Sequence, residues 1–461
     1  MIARTTDSAG VAPASREDAL AAVVAAELAF PGWSATPPPE RSRLLERASE
    51  LLMERQREIA SLVTEETSGT LGWGMFNVQL AADMLAYYAG ETEAPAEEQE
   101  LPSHIPGKRA KAVRQPVGVV VGIAPWNAPV ILGVRAVAAP LAYGNTVVLK
   151  ASEVCPRTHA AIVDALKDAG VPSGAINLVT NDPEDAAEVV DELITHPAVR
   201  RISFTGSTKT GRILAEKAAR HLKRMVLELG GQNPLIVLAD ADLEYAVNAT
   251  AFGTFLHQGQ ICMSARRIIV ERSVAKEFTE KLIAKTKGLK VGSPTEMDTI
   301  IGPLINKQAL EQVRARVDEA VSHGAKVLTG GKVQGSCYEP TLLTDVPLDV
   351  AMSKEETFGP VATITVVDDA DEAVTVANQT TYGLSAGILT RDADRGLALA
   401  ERIEAGIIHI NDQPVNDEPQ VPFGGVKDSG YGRFGGSEAM HEFTEMRWVT
   451  VQGQGGRPFP F

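Results

Sequence analysis

Residues 117–150 read VGVVVGIAPWNAPVILGVRAVAAPLAYGNTVVLK, and their pattern is the clearest indication of the fold class. A β-branched run at 117–123 is followed by an apolar helical segment at about 130–139 and by a second β-branched run at 146–150. Such alternation predicts a βαβ unit, in which a helix connects two parallel strands.

The alternation continues along the chain on the carboxyl side of this unit. Further strands are predicted at 176–179, 201–204 and 225–229, and the helices between them at 158–169, 183–195 and 208–219. A second alternating block begins near Pro234, with a long helix at 243–257 and strands near 268–270, 361–367, 386–389 and 407–410. We therefore expect two α/β domains in series, with a ligand cleft between them.

The N-terminal region has a helical pattern instead. Apolar residues recur at helical spacing over 44–62 and again over 76–88, and the three prolines at 37–39 predict a turn between N-terminal helices. Residues 91–105 are acidic and contain proline, which predicts a loop that leads into an extended segment.

Length and charge limit the class of protein. The chain has 461 residues, a net charge of −15 and 44% hydrophobic residues, which predicts two or three globular domains. Scattered acidic residues argue against nucleic-acid and membrane partners. No apolar run reaches the roughly 18 to 20 residues needed to cross a bilayer, and the N-terminus lacks the apolar core of a signal peptide. The three cysteines form neither a disulfide framework nor a metal motif. We expect a cytoplasmic, metal-free protein with a free thiol that could act as a nucleophile.

Seven short motifs follow one another in the chain. They are PWN at 125–127, VLKASE at 148–153, FTGSTKTG at 204–211, LELGGQNP at 227–234, GQIC at 259–262, EETFGP at 355–360 and PFGGVKDSG at 422–430. In order and spacing they resemble the aldehyde dehydrogenase superfamily over essentially the whole chain. The segments 126–135, 409–413, 416–418 and 443–451 further resemble its bacterial salicylaldehyde, vanillin and benzaldehyde dehydrogenase branch.

The resemblance implies three catalytic residues. Cys262 would attack the aldehyde, Asn127 and the Cys262 backbone N–H would stabilise the oxyanion, and Glu228 would activate the water that hydrolyses the thioester. Each residue also has a plainer interpretation, as a small buried side chain for Cys262, a surface charge for Glu228 and a helix cap for Asn127. Relatives that transfer the acyl group to coenzyme A do without a glutamate base at this motif, so Glu228 favours hydrolysis to the free acid.

A dinucleotide is the cofactor that the resemblance implies. Gly206 and Ser207 form a strand-to-helix turn that suits a pyrophosphate, although the turn could simply be a helix cap. The family's other cofactor contacts fall on Ile123, Trp126, Lys150, Ser152, Glu153, Phe204, Leu229, Gly230, Glu356 and Phe358. A carboxylate at Glu153 repels a 2′-phosphate, which favours NAD, with NADP as the alternative. The sequence GYGRFG at 430–435 fits G-x-G-x-x-G but follows a glycine-rich loop, so we interpret it as a C-terminal turn.

The substrate pocket is predicted along the helix that begins after Asn127. Ile131 and Arg135 share a helix face, so Arg135 would meet a polar group on the substrate unless it pairs with an acidic neighbour such as Asp417. A flat aromatic ring would be held by Ala128, Ile131, Ile261, Met263 and Phe423. Salicylaldehyde is the first expected substrate and vanillin or another hydroxybenzaldehyde the second. The alternatives are an aliphatic or broad-specificity aldehyde dehydrogenase, a coenzyme A-acylating enzyme, or a non-catalytic protein on the same scaffold.

The domain boundaries follow from the same resemblance. A doubly wound NAD-binding domain is expected over 1–94 and 117–230, and an α/β catalytic domain over 231–440. A small β oligomerisation arm would combine 95–116 with 441–461. Because a protruding arm needs a second subunit to cover its edges, we expect a homodimer or a tetramer.

Overall fold

The computed structural model describes residues 12–93, 98–453, 456, 459 and 461. Parts of three predicted segments therefore lie outside the described residues. They are 1–11 and 94 in the first predicted domain, 95–97 in the arm, and 454–455, 457–458 and 460 at its end.

Four helices form the N-terminal region: α1 (Arg16–Ala35), α2 (Pro38–Glu54), α3 (Gln56–Thr67) and α4 (Leu71–Glu93). The helix predicted over 44–62 is in fact two helices, which are separated at Arg55. The three prolines, predicted to form a turn, lie at the start of α2, whose first residue is Pro38. Proline is tolerated there because the backbone N–H groups of the first helical turn have no hydrogen-bond acceptor within the helix.

Two extended strands follow, β1 (Glu98–Leu101) and β2 (Lys108–Pro116). They form a three-stranded antiparallel sheet with the last strand of the chain, Thr444–Gln452. The two segments predicted to combine in an arm thus lie in one sheet. Trp448 on the last strand is 72% exposed.

The next region is the first α/β unit. Its elements are β3 (Val119–Ile123), α5 (Pro129–Ala142), β4 (Thr146–Lys150), α6 (Pro156–Asp168), β5 (Ile176–Val179), α7 (Ala186–Thr195), β6 (Val199–Thr205), α8 (Thr208–Arg220) and β7 (Arg224–Glu228). The five strands are parallel, in the order β7-β6-β3-β4-β5. The strand order reverses between β3 and β6, and open sheets of this kind bind ligands at the carboxyl ends of strands at that point.

A second α/β unit completes the chain. Its elements are β8 (Pro234–Val237), α9 (Leu243–Phe255), β9 (Arg267–Glu271), α10 (Arg272–Lys287), α11 (Lys307–Ser322), β10 (Lys326–Thr329), β11 (Val333–Gln334), β12 (Cys337–Tyr338), β13 (Thr341–Thr344), α12 (Ala351–Lys354), β14 (Val361–Val367), α13 (Ala370–Asn378), β15 (Ser385–Leu389), α14 (Ala393–Ala400), β16 (Ile407–Ile410), β17 (Gly430–Tyr431), α15 (Glu438–Phe443) and β18 (Thr444–Gln452). Seven of the strands form a sheet in the order β10-β13-β14-β9-β8-β15-β16, parallel except for the pair β10-β13. Apolar side chains are buried against both faces of this sheet.

Many predicted element boundaries differ from the structure by one to three residues. The strand predicted from residue 117 begins at Val119, because Asn145 Oδ1 accepts hydrogen bonds from the backbone N–H groups of Val117 and Gly118. The helix predicted over 183–195 begins at Ala186. The helix predicted over 243–257 ends at Phe255, because the backbone of the residues after Leu256 turns into the left-handed region.

The segment that resembles a G-x-G-x-x-G motif has a structural role. Gly430 and Tyr431 form β17, which pairs antiparallel with the end of β7, opposite Glu228 and Leu227. The interpretation as a C-terminal turn was therefore incomplete, because the segment also adds an edge strand to the first sheet.

Among the described helices, no single one is long and apolar enough to cross a membrane, although the bent pair α1 and α2 passes that test by length and composition. The described residues also contain no group of three or more His, Cys, Asp or Glu side chains that could hold a metal ion.

Candidate active site

A cavity of about 310 Å³ opens where the strand order of the first sheet reverses. It is lined by residues that follow β3, β6 and β7, and by residues of the second unit. We call it the cleft cavity; its lining residues are Pro125, Trp126, Asn127, Leu132, Thr205, Gly206, Ser207, Glu228, Leu229, Gly230, Cys262, Glu356 and Phe358.

Cys262 lies in the loop between α9 and β9, at the join of the two α/β units. The loop begins with three residues in the left-handed region, His257, Gln258 and Gly259. Non-glycine residues rarely adopt this conformation, so it must be held by contacts. The Gln258 side chain donates to Pro303 O at 3.0 Å. The Arg266 guanidinium donates through one nitrogen to Gly259 O in the loop and through the other to Gly359 O at 2.7 Å. This part of the loop is therefore fixed before the cysteine.

The backbone of Cys262 is also fixed from the other side. Asn233 Nδ2 donates to Cys262 O at 2.7 Å and to Ser264 O at 2.9 Å. A Cβ on Gly231 would lie 2.5 Å from Cys262 O, so only glycine allows the LELGGQNP segment to approach the cysteine loop this closely.

Glu228 is the last residue of β7 and is only 1% exposed. Its carboxylate lies close enough to the Cys262 thiol to raise the pKa of that thiol. Its Oε1 atom is buried and has no hydrogen-bond partner among the described residues. A buried, unpaired carboxylate oxygen is costly, which makes this position suited to a water or a ligand. The plainer interpretation of Glu228 as a surface charge is wrong.

Asn127 lies at the point where β3 leads into α5. Its Nδ2 donates to Gln260 O at 3.0 Å, two residues before Cys262, and its own carbonyl accepts from Trp73 Nε1 at 3.0 Å. The N-cap residue of α5 is Ala128, and no side chain caps that helix. Asn127 therefore does not have the capping role that was the alternative, and its amide is directed toward the cysteine loop.

The titratable groups of the cleft cavity have shifted pKa values. Burial raises the pKa of Glu228 to about 8, an effect that the charge of Arg135 opposes. Burial also raises the pKa of Glu356 to about 7. The pKa of the Cys262 thiol is raised well above its ordinary value, first by burial and then by the carboxylates of Glu228 and Glu356. Without a bound cation the protein alone therefore favours the neutral thiol.

The predicted cofactor residues fall into two groups. Trp126, Gly206, Ser207, Leu229, Gly230, Glu356 and Phe358 line the cleft cavity. The other five lie outside its lining, at the ends of neighbouring parallel strands: Ile123, Lys150, Ser152, Glu153 and Phe204. The structure therefore brings all twelve to the carboxyl edge of one sheet.

Two features of that edge fit a dinucleotide. Ser207 is the N-cap of the 13-residue helix α8, so the helix N-terminus opens into the cleft cavity. At the end of β4, Lys150 pairs with Glu153, and Asn181 Nδ2 donates to Glu153 Oε1 at 3.2 Å. Although burial raises the pKa of Glu153, Lys150 outweighs this effect, so the pKa lies below its ordinary value and the carboxylate is ionised.

A second cavity, of about 80 Å³, lies on the other side of Cys262. We call it the inner cavity. Asn127, Leu132 and Cys262 line both cavities, so the thiol lies at their junction. The six predicted substrate residues all line the inner cavity: Ala128, Ile131, Arg135, Ile261, Met263 and Phe423.

Arg135 forms an ion pair with Asp417, which confirms the alternative interpretation of this arginine given in the sequence analysis. The guanidinium also lies over the Phe423 ring, with Cζ 4.1 Å from the ring centroid. It still lines the inner cavity, where Arg135 and Asp417 are the charged residues of a lining that is otherwise largely apolar.

Sequence reasoning missed about half of this lining. Trp73, Phe76 and Leu80 come from α4, Phe252 and Leu256 from the end of α9, and Val415 and Asn416 from the loop after β16. The helical pattern of 76–88 was visible in the sequence. Which helix face closes a cavity depends on packing between segments that are far apart in the chain.

The comparisons with known proteins agree with this geometry. The model of the aldehyde dehydrogenase family matches residues 3–449. The chain is 50% identical over 450 residues to a vanillin dehydrogenase of Pseudomonas fluorescens, which covers 98% of this chain and 93% of the relative. It is 43% identical over 440 residues to a benzaldehyde dehydrogenase (NAD(+)) of Pseudomonas putida, which covers 95% and 89%.

A solved structure extends the agreement to the fold. The crystal structure of a salicylaldehyde dehydrogenase from Pseudomonas putida G7 complexed with salicylaldehyde superposes with a TM-score of 0.95 and 41% identity, over 98% of this chain and 93% of that one. The predicted fold class and family are confirmed. The chain belongs to the aldehyde dehydrogenase family, and it is an NAD(P)-dependent enzyme that oxidises aldehydes.

Proposed function

We propose that the enzyme oxidises an aromatic aldehyde, with NAD, to the free carboxylic acid through a thioester on Cys262. The observation that carries this proposal is the position of the thiol. Cys262 lies at the junction of a cavity at the sheet's ligand-binding edge and a largely apolar cavity that reaches away from it. An aldehyde carbon at the thiol would therefore face the cofactor in the cleft cavity, while the rest of the substrate lies in the inner cavity.

The first chemical step uses three groups of the chain. The Cys262 thiol gives up its proton to solvent, and the thiolate sulfur attacks the aldehyde carbon. The oxygen of the resulting thiohemiacetal becomes an oxyanion, which the Asn127 amide and the Cys262 backbone N–H stabilise. The Asn127 amide is already fixed beside the cysteine loop by its 3.0 Å hydrogen bond to Gln260 O.

The bound dinucleotide supplies the hydride acceptor. Hydrolysis of the thioester then needs a base for water. Glu228 Oε1 is buried without a partner among the described residues, so a water that donates to it would be oriented beside the thioester. This assignment favours the free acid over transfer to coenzyme A.

The end of β4 supports NAD over NADP. Glu153 is held by Lys150 and Asn181, and its ionised carboxylate would accept a hydrogen bond from a ribose hydroxyl but would repel a 2′-phosphate. The name of the Pseudomonas putida benzaldehyde dehydrogenase specifies NAD(+).

The inner cavity supports an aromatic substrate. Its walls include the aromatic side chains of Trp73, Phe76 and Phe423, and aromatic rings pack favourably against one another. The relatives are named for vanillin, salicylaldehyde and benzaldehyde. Salicylaldehyde was the first substrate expected from the sequence, and the 50% identity to a vanillin dehydrogenase favours testing vanillin equally early.

The test is NADH formation with benzaldehyde, salicylaldehyde, vanillin and hexanal, each with NAD and with NADP, and with Cys262→Ala as the blank. The proposal expects higher kcat/KM on the aromatic aldehydes, an acid product without coenzyme A, and a preference for NAD. Equal or higher kcat/KM on hexanal would refute the aromatic assignment. A product that forms only with coenzyme A would refute hydrolysis.

A further inference from the structure

The ion pair between Arg135 and Asp417 leaves one acceptor unused. Arg135 donates to Asp417 Oδ2, whereas Asp417 Oδ1 is buried and has no hydrogen-bond partner among the described residues. The side chain of Asp417 is only 10% exposed. A buried carboxylate oxygen without a partner costs stability, and a donor brought by a ligand would recover that cost.

Asp417 lies in a wall between two cavities. It lines the inner cavity together with Cys262, and it lines an outer cavity of about 290 Å³ together with His409 and Pro422. Asn416 and Phe423 are shared in the same way. A ring whose aldehyde carbon lies at Cys262 would therefore direct its far edge toward this wall.

The loop that carries Asp417 is fixed internally. The side chain of Gln413 donates to Val415 O at 2.9 Å and accepts from Val415 N at 2.7 Å. Arg135 is held in turn by the Phe423 ring and, with Cζ 5.9 Å from the ring centroid, by Phe434. Oδ1 is therefore a preorganised acceptor.

The charge of the pair decides which ligand fits. Arg135 and Asp417 balance each other, so the wall offers no net positive charge to an anion. What it offers is an oxygen that can only accept, which requires a donor on the ligand. Burial raises the pKa of Asp417, an effect that Arg135 opposes, and a more basic carboxylate is a stronger acceptor.

We propose that Asp417 determines specificity in the proposed aromatic aldehyde oxidation by accepting a hydrogen bond from a neutral phenolic hydroxyl of the substrate. This inference rests on the proposed function. It replaces the idea that Arg135 itself contacts the substrate's polar group: Arg135 positions Asp417, and Asp417 is the residue that recognises the hydroxyl.

The position of the pair also predicts which hydroxyl is recognised. Arg135 lies one turn of α5, about 6 Å, beyond Ile131 and two turns beyond Asn127, which lies beside the cysteine loop. A hydroxyl ortho to the aldehyde stays near Cys262. A meta or para hydroxyl, on the far edge of the ring, is the one that extends toward Asp417.

The experiment measures kcat/KM for benzaldehyde and for 2-, 3- and 4-hydroxybenzaldehyde. It compares wild type with two variants, Asp417→Asn and the double variant Arg135→Met with Asp417→Leu. Asp417→Asn keeps an oxygen for Arg135 but turns an N–H donor toward the ligand. The double variant removes both charges, so that no unpaired arginine is left buried. Glu418→Gln is the matched control, because this exposed neighbouring carboxylate is bonded to Gln420.

In wild type and in Glu418→Gln we expect kcat/KM to be higher for the 3- or 4-hydroxy compound than for benzaldehyde. In both Asp417 variants the ratio of kcat/KM for the hydroxy compound to kcat/KM for benzaldehyde should fall by roughly tenfold to a hundredfold, the size of one hydrogen bond to a charged group. A preference that survives in both variants would overturn the proposal. So would an equal fall for all four substrates, since Asp417 would then only support the cavity wall. Absence of turnover of all four aldehydes in wild type would instead refute the proposed function.

Discussion

The raised pKa of Glu228 makes a quantitative prediction about hydrolysis. If Glu228 is the base for the attacking water, only its ionised form is active. With a pKa of about 8, roughly one tenth of the enzyme carries the ionised form at pH 7, and roughly one hundredth at pH 6. Thioester hydrolysis should therefore rise about tenfold from pH 6 to pH 7, and should level off above about pH 9.

Rapid mixing of enzyme, NAD and aldehyde separates this step from the earlier ones. The initial burst of NADH reports attack and hydride transfer, whereas the later linear phase reports hydrolysis when hydrolysis is slow. The linear phase should show the acid limb near pH 8. In Glu228→Gln the burst should remain, and the linear phase should be slow at every pH.

Two results would contradict this reasoning. A linear phase that does not change between pH 6 and pH 9 would mean that no group with a raised pKa limits hydrolysis. An acid limb that persists in Glu228→Gln would assign the limb to another group, of which Glu356, with a pKa raised to about 7, is the nearest candidate in the cleft cavity.

Four further outcomes are expected. Cys262→Ala should abolish NADH formation, while NAD binding measured by calorimetry stays unchanged. The control variant Cys337→Ala, at a buried cysteine outside both cavities, should remain active. Turnover by the Cys262→Ala variant would exclude Cys262 as the nucleophile. Asn127→Ala should slow the NADH burst by about 10²–10³-fold, because one oxyanion donor is worth about 2.7–4 kcal/mol, and an unchanged burst would exclude that role. Glu153→Gln should raise kcat/KM with NADP relative to NAD, and an unaltered ratio would mean that the carboxylate does not set cofactor choice. Glu228→Gln should raise the thermal midpoint at pH 9 but not at pH 4. The pKa of Glu228 in the folded protein, about 8, exceeds its ordinary value of 4.5, so the protonated carboxyl contributes a few kcal/mol of stability that is lost as the pH rises through 8. Equal midpoint changes at both pH values would contradict the burial argument.

The first α/β unit could be predicted almost completely from the sequence, and the second only in part. Strands β3 to β7 are short, mostly buried β-branched runs between longer helices, and their pattern is unambiguous. In the second unit, α10 and α11 escaped prediction although Phe278 and Leu282, or Val313 and Val317, recur at helical spacing. Strand β10 has no buried pattern, because it lies at the edge of its sheet and its first residues are exposed.

The turn before Cys262 illustrates a different limit. Helical periodicity continues through Leu256 and gives no sign that His257 and Gln258 are left-handed. Their conformation is determined by partners such as Pro303 and Gly359, far along the chain, which bind the Gln258 and Arg266 side chains. Local propensity cannot predict a backbone that tertiary contacts hold against it.

The inner cavity shows why the catalytic residues were easier to predict than the specificity of the site. Cys262, Glu228 and Asn127 each lie in a motif, so each could be identified alone. Arg135 could be identified too, but its role in substrate binding depends on Asp417, 282 positions away in the chain, and on which oxygen of that carboxylate has no hydrogen-bond partner. An arginine alone in an apolar cavity would select an acceptor or an anion. The same arginine paired with a carboxylate selects a hydrogen-bond donor, so the partner reverses the polarity of the group that the substrate must present.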